Sequence, residues 1–349
     1  MHAKITILGG GLTGVYLGYL LQLKGMDYQI LEGRSRLGGR IFTKMSGNHV
    51  PIDLGAAWFW DYNPKLKQLL EDLNILTHPQ SMGPKVWYQP TANASYQQFQ
   101  LPPQEQISYR IKGGATNLIL SLASTLDAEK IHLDTMVNRV TREEKGYKLQ
   151  TSQGIFTTEK VICALPPAIL NARISFDPEL PNDYQQIASK THTWMENSIK
   201  FGIGFPKAFW KYEQIPVTSF SNYGPITELY DYSNADQDRF AMMGFLHPEA
   251  NTWTPEDRKA KVMQQLETIF GTRVLDYISY EEIVWQEQEF THVASNNSLT
   301  PHQNNGHSLL RQTFHENSLI MAGSETSAVL PGYMEGALHS AQTAFDLLK

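Results

Sequence analysis

Two spacings of apolar residues organise this chain, one with the period of a strand and one with the period of a helix. Lys4 to Leu8 is a short run rich in β-branched and apolar types, as expected of a strand buried on both faces. A glycine-rich turn follows. Beyond it, Val15, Leu17, Leu20 and Leu21 fit the inner side of a helix, with Gly25 as its C-terminal stop. Tyr28 to Leu31 reads as a second buried strand. Residues 111–126 give a glycine turn and an amphipathic helix, residues 131–140 a strand, and residues 147–165 a hairpin turned at Gln153–Gly154 that runs on into the core. Asn197 to Phe205 alternates as a strand does, Pro255 to Phe270 is helical, and residues 318–327 form a strand broken at a glycine. The closing helix carries Met334, Ala337, Leu338, Ala341, Ala344, Phe345 and Leu348 on one face. Residues 82–103, with prolines and glutamines and little periodicity, read as an irregular excursion.

The junction of the first strand and helix is where chemistry enters. Gly9, Gly11 and Gly14 have the G-x-G-x-x-G spacing: a tight turn, a close backbone approach to a pyrophosphate, and close packing of helix on strand. The helix would then offer unpaired N–H groups and a partial positive charge to the phosphates. Glu32 ends the second strand 18 residues past Gly14, near the usual ~20 for the acid that binds ribose hydroxyls. A glycine-rich turn in an ordinary α/β unit is the alternative, and it leaves Glu32 as coincidence. The loop that follows, GRSRLGGR, adds Gly38 and Gly39 for another close approach, and Arg34, Arg36 and Arg40 to offset phosphate charge.

Composition narrows the remaining choices. A chain of 349 residues exceeds the ~250–300 at which single cores stop growing, so two lobes are expected. A net charge of −6 without basic runs argues against nucleic acid. The single cysteine, Cys163, excludes an internal disulfide and reads as a packed thiol in the apolar run VICALPP. No secretory signal precedes the first strand and no apolar run reaches the ~18 residues of a membrane span, so a soluble cytoplasmic protein is expected. The eleven histidines lack metal-ligand spacing, His302 and His307 read as loop polar groups, and no metal site is expected. The sequence leaves the oligomeric state open.

Several segments together resemble the flavin-containing amine oxidase family, within the wider glutathione-reductase-like FAD proteins. They are ILGGGLTG, LEGRSRLGGRI, DLGAAWF, IKGGATNLI, VICALPP, NSIKFGIGFPKAFW, YEEIVWQEQEF and AGSETSAVLPGYMEGALHSAQ, in the family's order from one end of the chain to the other. The resemblance implies an α/β fold: a glutathione-reductase-like, Rossmann-type FAD-binding domain from residues 1–60, 111–188 and 288–349, and a smaller α+β substrate domain from 61–110 and 189–287. By position, Gly9, Gly11, Leu12, Thr13 and Gly14 are similar to the pyrophosphate turn and Glu32 to the adenosine-ribose ligand. Gly33, Arg34, Gly38, Gly39 and Arg40 are similar to the second phosphate-facing loop, and Gly55, Ala56, Ala57 and Trp58 to the backbone beside the isoalloxazine. Val137 corresponds to the residue that meets the adenine, and Gly323, Ser324 and Glu325 to the ribityl-binding turn. Gly332, Tyr333, Met334 and Ala337 correspond to the start of the helix aimed at the N1–C2=O edge of the flavin, where a helix N-terminus stabilises the charge of the reduced ring.

The chemistry so implied is oxidation of a small amine, with a hydride leaving the carbon next to nitrogen for flavin N5 and O2 as the electron acceptor, releasing peroxide. Lys200 aligns with the lysine that holds a water at N5, and Tyr333 with one tyrosine of the pair that flanks the amine. An outward lysine on an alternating strand is the plain alternative for Lys200. The second tyrosine of the pair falls at Ser295, and the cysteine that some members join to the flavin falls at Ala294, so non-covalent FAD is expected. Trp285 corresponds to a tryptophan beside the flavin ring, and Trp58, Phe59, Trp60, Trp87 and Tyr88 are candidates for the pocket wall, with core packing the alternative for each. Only about fifty residues separate Trp58 from Lys112, far fewer than in typical members, which implies a pocket that is more open, shallower or closed by a partner subunit. The compact length is also that of renalase-like flavoproteins that oxidise dihydronicotinamides. A third reading is a flavin-bound protein whose task is partner binding.

Overall fold

The first strand, His2–Leu8, runs parallel to Tyr28–Leu31 on one side and to Gly154–Ala164 on the other, so that Leu8 pairs with both Leu31 and Cys163. The helix Leu12–Leu23 crosses between the first two strands. It stops at Gly25, which takes φ +62°, while the N–H groups of Gly25 and Met26 return to the carbonyls of Gln22 and Leu21 at 3.0 and 3.1 Å. This computed structural model describes residues 1–103, 105–294 and 299–349. Among them the first sheet has nine strands, ordered Ile131–His132, Tyr28–Leu31, His2–Leu8, Gly154–Ala164, Gly146–Thr151, Val137–Glu143 and Ser175–Asp177 along its main path. Leu319–Ala322 joins Gly154–Ala164 in parallel, pairing Ala322 with Ala164, and carries the short antiparallel strand Thr313–Phe314. Four parallel strands therefore end together at Leu8, Leu31, Ala164 and Ala322, the side on which such sheets hold ligands.

The helices behind this edge share one apolar core. Leu12–Leu23 packs on the closing helix Met334–Asp346, where the Thr13 hydroxyl donates to the Ala337 carbonyl at 3.2 Å. Pro64–Asp72 and Thr116–Ala123 complete the layer. Pro64–Asp72 gains its N-terminal cap from outside: the buried Glu335 carboxylate accepts from the N–H groups of Lys65 and Leu66 at 3.0 and 2.9 Å.

The second sheet, of seven described strands, is antiparallel apart from one pair. Its order is Ser279–Val284, Ile199–Phe205, Phe240–Leu246, Ile226–Asp231, Ser219–Ser221, Lys85–Gln89 and Gln97–Gln100, with Ser219–Ser221 parallel to Lys85–Gln89. The strand Ile199–Phe205 shows how it faces the first sheet. Ile199, Phe201, Ile203 and Phe205 enter a core with the helix Pro255–Phe270. Lys200, Gly202 and Gly204 take the opposite face, and that face is covered as well. A Cβ at Gly202 would lie 2.4 Å from Ile52, and one at Gly204 2.7 Å from Asn48, so the segment around 48–53 passes directly over it. Lys200 is thereby 1% exposed, and the outward-lysine reading of the alternation fails because both faces are buried.

Two other expectations change. Residues 131–140 are two strands, Ile131–His132 and Val137–Glu143, because a turn at Asp134, whose φ is +53°, breaks the run between them. Residues 82–103 are not irregular but hold the paired strands Lys85–Gln89 and Gln97–Gln100. Gln97–Gln100 is exposed throughout, so no apolar alternation marks it. No helix among the described residues is long and apolar enough to cross a membrane.

Candidate active site: a groove between the two sheets

A cavity of about 550 Å³ lies between the sheets, within the ~300–1,000 Å³ usual for ligand sites. Its first wall is the turn after His2–Leu8. Gly9 takes φ +104°, and a Cβ there would stand 2.8 Å from the Ala164 carbonyl oxygen. A Cβ at Gly14 would stand 1.9 Å from the Gly9 oxygen, whereas at Gly11 nothing lies within 4 Å because that residue fronts the groove. Gly11 opens the helix Leu12–Leu23 without a side-chain cap and without an acid in the first turn, leaving N–H groups to face the cavity. Glu32 lines the same wall, its carboxylate accepting from Gly10 N–H at 2.6 Å and Arg34 N–H at 2.8 Å.

The second loop folds against the first through a bridge between Gly11 and Gly38, and Gly33, Arg34, Gly38, Gly39 and Arg40 all line the cavity. Its three arginines have separate tasks. Arg34 donates to the Thr291 hydroxyl at 3.1 Å and has no acidic partner within 4 Å among the described residues; burial lowers its pKa from the ordinary arginine value. Arg40 instead forms a bidentate pair with Glu325 at 2.5 and 2.9 Å and also donates to the Ser324 hydroxyl and the Trp194 carbonyl. Burial alone would raise the Glu325 carboxyl, but the Arg40 charge and hydrogen bonds bring it below the usual carboxylate range. Arg36, expected to offset phosphate charge, does not line the cavity. It donates to the carbonyls of Leu37, Gly39 and Ile41, and so holds the loop's shape.

The far end of the groove is closed by Gly323, Ser324, Glu325 and the start of the closing helix, with Gly332, Tyr333, Met334 and Ala337 on the wall. This helix also begins without a side-chain cap, since its first-turn acid, Glu335, is held by the Pro64–Asp72 helix. Two uncapped helix N-termini and a guanidinium without an acidic partner among the described residues thus border one cavity. That donor set fits FAD: residues 9–13 and Arg34 would hold the pyrophosphate, Glu32 the ribose, Val137 the adenine end, and residues 332–337 the flavin edge. No cysteine lines the cavity. Cys163 is buried in its strand, where burial raises the thiol pKa, and residue 294 is alanine.

The wall toward the second sheet is made of side chains. Lys200 donates from Nζ to the Gly55 carbonyl at 2.8 Å and lies 5.2 and 5.0 Å from the ring centres of Trp58 and Phe245. Burial lowers its pKa from 10.5 to about 7, against the opposing influence of Asp53 and Glu228. Asp53 is itself raised by burial, although Thr43, Tyr232 and the Ala115 N–H donate to it. Gly55, Ala56, Ala57, Phe59 and Trp60 line the cavity, as does Trp285, whose Nε1–H donates to the Leu54 carbonyl at 2.9 Å.

Most residues singled out from sequence therefore meet at one cavity. Gly14 lies behind the wall, as a packing glycine should. Ser295 lies outside the described residues. Trp87 and Tyr88 do not line the cavity; they sit in the strand Lys85–Gln89, and Trp87 donates to the Pro216 carbonyl at 2.8 Å. Among the wall residues that sequence reasoning missed are Trp194, Glu228 and Phe245. Glu228 gave no signal, because ITELYDY does not alternate and its strand shifts register between Ile226 and Glu228; in the fold Glu228 receives the Tyr230 hydroxyl at 2.6 Å. Among the described residues no group of three or more His, Cys, Asp or Glu could hold a metal ion.

Residues 90–346 match the family model described as flavin containing amine oxidoreductase, and residues 7–73 the model of an NAD(P)-binding Rossmann-like domain. The chain is 22% identical to the probable flavin-containing monoamine oxidase A of Dictyostelium discoideum, over 96% of this chain and 95% of that protein. That alignment spans 441 positions against 349 residues here, so at least 92 positions of the relative have no counterpart. Among solved structures, wild-type putrescine oxidase bound to putrescine superposes with a TM-score of 0.85 at 18% identity, covering 100% of this chain and 99% of that one. Cyclohexylamine oxidase from Brevibacterium oxydans gives 0.84 at 18% identity, covering 99% and 98%. The fold is theirs, and the matched family model goes further: the chain belongs to the flavin-containing amine oxidoreductase family, as an FAD-dependent enzyme of the amine oxidase type.

Proposed function

We propose that this protein oxidises a small amine on a non-covalently held FAD, with O2 as electron acceptor. The observation that carries the reading is Lys200, a buried lysine whose pKa is lowered to about 7, set between Trp58 and Phe245 in the cavity that fits the cofactor. FAD supplies a hydride acceptor for the carbon beside an amine nitrogen and passes the electrons on to O2. What remains for the chain is to bind, orient and exclude water.

Lys200 is suited to holding a water through its Nζ and to exchanging a proton near neutral pH, because its two forms are balanced there. Tyr333, Trp58 and Phe245 give apolar ring surface on which an uncharged amine lies away from bulk water. Glu228 adds a carboxylate to the same wall, which favours substrates that bring a second positive charge.

The test is anaerobic mixing of the yellow protein with monoamines, with diamines and with dihydronicotinamides while the visible flavin band is followed. Bleaching by amines supports this reading. Bleaching by dihydronicotinamides alone replaces it with the renalase-like one, and no bleaching by either group removes it.

A further inference from the structure

Trp194 stands six residues before Lys200, in a segment without motif or apolar periodicity. Its backbone is fixed at both ends by the ion pair of the groove: its N–H donates to Glu325 Oε1 at 3.2 Å, and its carbonyl accepts from Arg40 at 3.1 Å. The indole stacks on His302 with centroids 3.9 Å apart and planes at 21°, and lies 5.6 Å from the Tyr333 ring at 44°. His302 is not part of the cavity wall; Trp194 and Tyr333 are. The approach is close on the other side too, since a Cβ at Gly332 would fall 3.0 Å from Trp194 Cβ.

Packing alone does not account for this placement. Trp87, Trp210 and Trp285 each give their indole N–H to a fixed acceptor, whereas that of Trp194, like those of Trp60 and Trp253, has none among the described residues. Of these three only Trp60 and Trp194 line the cavity, and only Trp194 stands against Tyr333. The resemblance also leaves Tyr333 without its aromatic partner, because a serine occupies position 295. A ring separation of 5.6 Å is too small to admit a ligand between Trp194 and Tyr333, so the two rings form a wedge, not a cage.

We propose that Trp194 is a substrate-positioning residue, whose indole joins Tyr333 in a bent aromatic surface that receives the carbon skeleton of the amine. His302 supports both rings, covering one indole face and lying 5.6 Å from the Tyr333 ring with planes at 23°. This inference rests on the amine reading above. It makes apolar contact area near the amine, and not a second tyrosine, the determinant of which amines fit.

The experiment uses FAD-loaded protein with benzylamine and hexylamine as probes. Trp194→Ala is expected to raise KM by about tenfold, the worth of one good aromatic contact, with kcat within about threefold and flavin content unchanged. Trp194→Phe is expected to recover most of that loss. In protein labelled with fluorotryptophan, the resonance missing from Trp194→Phe is expected to move on anaerobic addition of either amine. A KM for Trp194→Ala within twofold of wild type overturns the proposal. If that variant does not hold flavin, the fluorine signal of the wild-type protein decides, and a signal unmoved by an amine that bleaches the flavin overturns it equally. If neither amine bleaches the wild-type flavin, the same measurements are made with a diamine that does; if no monoamine or diamine bleaches it, the amine reading is what has failed, and this inference falls with it.

Discussion

The two walls of the groove are made of different material. Toward the parallel sheet the wall is backbone: the glycine turn, the bridge between Gly11 and Gly38, and two helix ends without caps. Toward the antiparallel sheet it is side chain: Lys200, Glu228, Phe245 and Trp285, on strands and a turn that any suitable sequence could build. A backbone wall excludes Cβ atoms, so it leaves glycines at fixed spacing. A side-chain wall leaves only isolated residues far apart in the chain. The first kind holds what every member of the family holds, and the second is free to change with the substrate.

Breaking the backbone wall should cost most. Gly14→Ala brings a Cβ to 1.9 Å from the Gly9 oxygen, and we expect a loss above about 3 kcal/mol with no FAD retained, read by melting and by flavin absorbance. Glu325→Gln strands the Arg40 guanidinium and should cost about 3 kcal/mol with weakened FAD retention, read in the same way. The side-chain wall should respond in the opposite sense. Lys200→Met removes a buried charge, so stability should rise by about 1–3 kcal/mol while turnover falls about a hundredfold.

That contrast extends to pH. Because the Lys200 pKa falls from 10.5 unfolded to about 7 folded, the unfolded chain binds more protons between those values. The penalty is full below about pH 7 and fades as pH rises toward 10.5, so wild-type stability should climb across this window relative to Lys200→Met. Melting both proteins at several pH values checks it, and parallel curves would contradict it. The smallest effect is expected at Glu228→Gln, which should raise KM for a diamine by about tenfold and leave monoamines nearly unchanged.

How much was legible in advance follows the same division. The turn at Gly9–Gly14, Glu32, and the helices Pro255–Phe270 and Met334–Asp346 could be read because local geometry or period demands those residues. Lys200 could be placed on a strand but not on a buried face, since the cover comes from residues 48–55, far away in sequence. Trp194 and His302 gave no local signal; they meet through contacts more than a hundred residues apart, and His302 read as an ordinary loop residue. The strand Gln97–Gln100 was hidden because an exposed edge strand needs no apolar face.

One consequence of the strand order concerns biosynthesis. Leu319–Ala322 and Met334–Asp346 supply one side of the groove to a sheet whose central strands, His2–Leu8, Tyr28–Leu31 and Gly154–Ala164, are translated well before them. The groove is therefore complete only once residues 319–346 have been synthesised, and until then the exposed sheet edge beside Gly154–Ala164 invites wrong partners.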